Sequence, residues 1–136
     1  MNQKYELLLD EFIEILGTKL FRIRAKASIM FVAAGEKGGY IESERNLGAT
    51  GNAWVSGNAR VSGDAEVKKS SDILVIGPVG SRDDFLTISI SNEKVKIGCF
   101  TGTLDELEAA AKEKGRQDYL DLLPGIKALV ARRRAA

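Results

Sequence analysis

A chain of 136 residues, 44% hydrophobic and 29% charged, has the length and composition of one modest globular domain, which excludes wholesale disorder. Its formal charge of +1 gives no general attraction to nucleic acid or to membranes, so anion binding would need local clusters of Arg and Lys. There is no histidine, which removes the usual general base near neutral pH and the commonest transition-metal ligand.

From Lys19 onward, Phe21, Ile23 and Ala25 alternate with Arg22, Arg24 and Lys26, the pattern of a half-buried strand. Gly17-Thr18 can turn a hairpin back onto the run from Glu11 to Leu16, although Tyr5 to Leu16 also reads as an amphipathic helix. The start lacks a signal-peptide pattern and no apolar run reaches membrane-spanning length, so a cytoplasmic protein without membrane contact is expected. Cys99, the single cysteine, cannot form an internal disulfide, which agrees with a reducing compartment.

Gly35 to Gly39 reads as a loop, and a repeat follows. Gly51-Asn52-Ala53-Trp54-Val55-Ser56 is succeeded by Gly57-Asn58-Ala59-Arg60-Val61-Ser62 and Gly63-Asp64-Ala65-Glu66-Val67. This is a period of six. Stepping by six extends the Val register back to Ala49 and on to Ile73 and Val79. Such hexads predict a short left-handed β-helix, with Val inside, Ala where the wall is thin, and Gly with Asn or Asp at corners. About five hexads make fewer than two triangular coils, too little to bury a core, so a homo-oligomer is expected, a trimer foremost.

Strands are predicted from Ile73 to Val79, Asp84 to Ser91 and Lys94 to Phe100, with Asn92-Glu93 as a tight connection. Thr103-Leu104-Asp105-Glu106 is a capping box opening a helix that Gly115 stops. A second helix from Gln117 to Leu123 breaks at Pro124-Gly125 and resumes from Ile126 to Arg132. The expectation is therefore a mainly β single domain: a hairpin region (1–34), a hexapeptide β-helix (35–80), strands (81–102) and a C-terminal α-helical cap (103–136).

Without histidine, no catalytic residue is assigned; Asp64, Asp83 or Asp84 could serve as a base, but no neighbour marks one of them. Asn52, Asn58 and Asp64 read as turn residues rather than a calcium ladder, and no metal site or cofactor is expected. Cys99 reads as a small core residue. Three anion-binding candidates stand out, each also readable as a plain turn or solvated face. Gly80-Ser81-Arg82 offers backbone N–H groups, a hydroxyl and a guanidinium. Thr101-Gly102-Thr103 lies at a helix start, although Asp105 and Glu106 already place negative charge there. Arg22, Arg24 and Lys26 form a basic stripe. Trp54 either packs under a flanking segment or stacks on a ligand ring. Arg132-Arg133-Arg134 reads as a solvated tail.

Several blocks carry a resemblance: Lys4-Tyr5-Glu6-Leu7, Leu20-Phe21-Arg22-Ile23-Arg24-Ala25, Gly38 to Leu47, Ile76 to Asp84, and Gly98 to Glu106. On them, the chain resembles a family of small phage and prophage hexapeptide-repeat proteins described as polymer-forming-like. It departs from that family in its shorter repeat and in lacking histidine in the segments flanking the repeat. The resemblance implies a phage origin and expression in the host cytoplasm. Phage genomes carry many small oligomers that soak up nucleotide immune signals. By analogy with that class, a non-catalytic oligomer sequestering a small phosphorylated, nucleotide-type ligand is expected. A purely structural assembly protein is the alternative, and an acyltransferase-like enzyme the third reading.

Overall fold

The computed structural model describes residues 2–80, 82–98 and 100–135. Strand β1 (Tyr5–Ile15) runs antiparallel to β2 (Thr18–Ala25), which pairs antiparallel with β3 (Lys37–Ile41). A short β4 (Arg60–Val61) lies parallel to β3 and completes a four-stranded sheet of order β1-β2-β3-β4. The hairpin reading of the N-terminus holds and the helix reading does not. The turn sits one residue earlier than expected, at Leu16-Gly17, because Ile15 pairs with Thr18. Leu16 and Gly17 have φ of 50° and 85°, the pair of positive values that a two-residue I′ turn needs.

A second four-stranded sheet follows, with order β5-β6-β7-β8, antiparallel throughout. Its strands are β5 (Ile73–Val79), β6 (Asp84–Ser89), β7 (Lys94–Ile97) and β8 (Phe100–Thr103). The expected single strand from Lys94 to Phe100 is thus split, and Thr101-Gly102-Thr103 forms a strand that folds back on β7. Helices α1 (Leu104–Lys114) and α2 (Gln117–Ala135) close the chain. Pro124 lies inside α2 and does not end it.

The expected left-handed β-helix is not formed. The molecule is mainly β, as two antiparallel-rich sheets with a C-terminal helix pair. The repeat supplies one layer only, and its partner is the segment before it. Gly39 N–H donates to Val55 O at 2.7 Å, Tyr40 N–H to Ala59 O at 2.9 Å, and Gly48 N–H to Val67 O at 2.8 Å. The presumed loop at Gly35 to Gly39 therefore runs into β3. Gly38 and Gly39 are buried there because no side chain fits: a Cβ would stand 2.5 Å from Val55 O at Gly38 and from Ala59 O at Gly39. The predicted Val register also stops short. Val55, Val61 and Val67 are buried with Ala53, Ala59 and Ala65, but Ala49 is exposed and Ile73 and Val79 belong to β5. Too few hexads are present to stack further coils, so hairpins supply the remaining backbone partners.

Asn46 closes this layer from inside. Fully buried, it accepts from the N–H of Glu42 and Ser43 and donates to Gly63 O and Ala65 O, so its amide is satisfied on both sides. Tyr5 does the same from the edge strand, donating to Leu47 O at 2.6 Å.

The second sheet is covered on both faces. Leu86, Ile88, Val95 and Ile97 pack with Leu107, Ala111, Leu123, Ile126 and Val130 of the helices. Alternation sends Thr87 and Ser89 of β6 the other way, and both are buried. Thr87 Oγ1 accepts from the Arg60 N–H at 3.0 Å, and Ser91 Oγ from the Glu66 N–H at 3.0 Å, tying the sheet to the repeat. Arg133 and Arg134 at the end of α2 are not part of a free tail. Arg133 donates to Ile73 O at 3.2 Å, and Arg134 to Ile90 O at 2.7 Å. Among the described residues, no helix is long and apolar enough to cross a membrane.

Candidate ligand-binding site

The end of α1 builds the site. Gly115 adopts the left-handed conformation (φ 66°, ψ 34°), and the Arg116 N–H turns back to Ala111 O at 2.8 Å, a Schellman-type stop. That reversal sets Lys114 and Arg116 on one rim of a cleft and starts α2, whose first turn carries Tyr119. Across the cleft stand Arg82 and Asp84, at the approach to β6 and on its first residue. The floor is apolar: Ile97, Phe100, Leu107, Ala110 and Ala111. The cleft holds about 140 Å³.

Tyr119 is the polar anchor of this arrangement. Its ring is 4% exposed, and its hydroxyl donates to Asp84 Oδ2 at 3.1 Å. Burial, reinforced by the Asp84 charge and that hydrogen bond, raises the Tyr119 pKa above the ordinary phenol value, and Arg116 offsets part of the rise. Asp84 is thereby held in place by the Tyr119 hydroxyl. The lining is three cations against one carboxylate, which favours an anion over an apolar floor. The negative end of the α1 dipole works against this, and Lys112 and Lys114 in its last turn compensate it.

Arg82 is the sequence candidate that lines this cleft, and Gly80 lies behind it, outside the lining. Gly80 (φ 77°) lies against the Tyr119 ring, where a Cβ would be 3.1 Å from the hydroxyl oxygen. Ser81 lies outside the described residues, as does Cys99. The other candidates are elsewhere and committed. Arg22 donates to Gly38 O at 2.8 Å and to the Tyr40 hydroxyl, with its guanidinium 4.5 Å from the Tyr40 ring centroid. Arg24 pairs with Glu6 at 3.0 Å. Trp54 packs on Gly38 within the first core and does not line the cleft.

The Thr101-Gly102-Thr103 anion kit is filled by the chain itself. The Thr103 N–H donates to Glu106 Oε1 at 2.8 Å while Thr103 Oγ1 accepts from the Glu106 N–H at 3.1 Å. Thr101 Oγ1 accepts from Lys96 Nζ at 2.8 Å and lines a separate polar cleft of about 170 Å³ between the repeat and the second sheet.

Lys114, Arg116 and Tyr119 were not singled out from sequence, and Asp84 was named there only as a possible base. Lys114-Gly115-Arg116 reads as ordinary helix-stop chemistry, and only the packing of α1 on the second sheet brings it to the cleft that Arg82 lines. Among the described residues, no group of three or more His, Cys, Asp or Glu side chains is placed to hold a metal ion. Compared with protein-family models, with curated proteins and with solved structures, the chain matches none.

Proposed function

We propose that this chain is a non-catalytic protein that holds a small phosphorylated, nucleotide-type ligand in the cleft between Arg82 and Arg116. One observation carries the reading: three cationic side chains, Arg82, Lys114 and Arg116, line a cleft shared with the apolar Ile97, Phe100, Leu107, Ala110 and Ala111. The missing histidine supports binding over catalysis. The resemblance to small phage proteins supports the further step that binding sequesters a host immune-signalling nucleotide.

Calorimetry with AMP, with wild type beside Arg82→Ala and Lys114→Ala, tests the cleft. Arg82 is exposed, so its removal costs about tenfold in affinity, or roughly 1.4 kcal/mol, and leaves the melting temperature unchanged. Wild-type protein that shows no heat of binding with AMP or other nucleoside phosphates refutes the reading.

A second reading, assembly without a ligand, is favoured by a different observation. Leu9, Leu16, Met30 and Phe31 are 70%, 85%, 70% and 92% exposed, and β1 is the outer strand of its sheet. The two readings part on whether a ligand is bound, while self-association through this hairpin region fits either.

A further inference from the structure

A second cleft backs onto the first. It holds about 240 Å³ and is lined by Asn58, Arg60, Arg82, Asp83, Asp84 and Phe85, with Gly98. Arg82, Asp84 and Gly98 line both clefts, so the Arg82 guanidinium stands where the two meet. Neither space alone reaches the ~300 Å³ at which small-molecule pockets ordinarily begin, while the pair together does.

The two clefts differ in chemistry. The first has an apolar floor and the cations Lys114 and Arg116. The second adds Asp83 to the shared Asp84 and Arg60 to the shared Arg82, and offers the Asn58 amide, a balanced set of acceptors and donors suited to hydroxyl groups. Arg60 is held in place there by its Nη1 donation to Gly98 O at 3.0 Å.

We infer that the ligand is a two-part compound: an aromatic base over the apolar floor, a phosphate or pyrophosphate at Arg82, and a polyol in the cleft beside Asn58 and Asp83. Its chemical class is a nucleoside diphosphate joined to a sugar. This rests on the reading of the first cleft as a nucleotide site, and adds the occupant of the second.

The probes are AMP, ribose 5-phosphate and ADP-ribose, titrated calorimetrically into wild type, Asn58→Ala and Asp83→Asn. Asp83 has φ 52°, a value that asparagine also tolerates, so that variant keeps the turn. ADP-ribose is expected to bind at least tenfold tighter than AMP, with both variants losing most of that gain and binding AMP as wild type does. Equal affinity for AMP and ADP-ribose overturns the two-part ligand and leaves the single cleft standing. A tenfold gain that survives both variants overturns the placement of the polyol. Absence of binding by all three probes overturns the nucleotide reading and this inference with it.

Discussion

Tyr5→Phe tests whether the edge strand is locked to the repeat layer as the structure has it. The Tyr5 side chain is 2% exposed and its hydroxyl donates to Leu47 O at 2.6 Å and to Glu44 O at 3.1 Å. Losing a buried hydrogen bond of this kind costs about 1.5 kcal/mol at pH 8. Burial first, then the nearby Glu44 charge, push the phenol up from 10.0 to about 12. A raised pKa means that the folded state holds its proton more tightly than the unfolded one. The associated stability is complete below pH 10 and falls away as pH rises from 10 toward 12. By pH 11 the wild type should have lost roughly 1.4 kcal/mol that Tyr5→Phe has no phenol to lose. Urea unfolding of both proteins between pH 8 and pH 11 gives the comparison. The stability gap should start near 1.5 kcal/mol and close by about pH 11. A gap that stays constant across that range would mean that Tyr5 titrates like a solvated phenol, and would refute its placement under Leu47.

Gly39→Ala should destabilise by about 2 kcal/mol or more by chemical denaturation, since a Cβ would meet Ala59 O at 2.5 Å and Val55 Cγ1 at 2.9 Å; a neutral effect would argue against the close approach of β3 to the repeat. Thr103→Ala should cost about 1 kcal/mol by the same method, through loss of the cap on the Glu106 N–H, and should leave AMP affinity unchanged because Thr103 is outside the cleft. For the exposed apolar region, light scattering coupled to size exclusion should report more than one chain per particle for wild type, and fewer for Leu9→Lys combined with Phe31→Ser. A wild-type monomer at micromolar concentration would remove assembly from the account.

What the sequence by itself determined is local. Alternation placed β2 and β6, Thr103 and Glu106 placed the start of α1, and Gly115 placed its end, because each depends on groups within a few residues. The hexad also announced correctly which Val and Ala side chains are buried between 53 and 67. It did not announce what stacks on them. A parallel partner is a long-range choice, and here Gly38 and Gly39 make it possible by letting β3 approach within hydrogen-bonding distance of the repeat. The β-helix was therefore the wrong extrapolation from a correct local reading. The cleft was half legible for the same reason. Arg82 stood out through its own turn, and Gly80 beside it, whereas Lys114 and Arg116 are recognisable as site residues only once α1 has packed on the second sheet. Arg22, Arg24 and Thr101 looked equally free in the sequence, and tertiary structure gave each a partner within the chain. Side-chain chemistry is written residue by residue, but which charged groups remain available is settled only when every strand and helix has taken its neighbours.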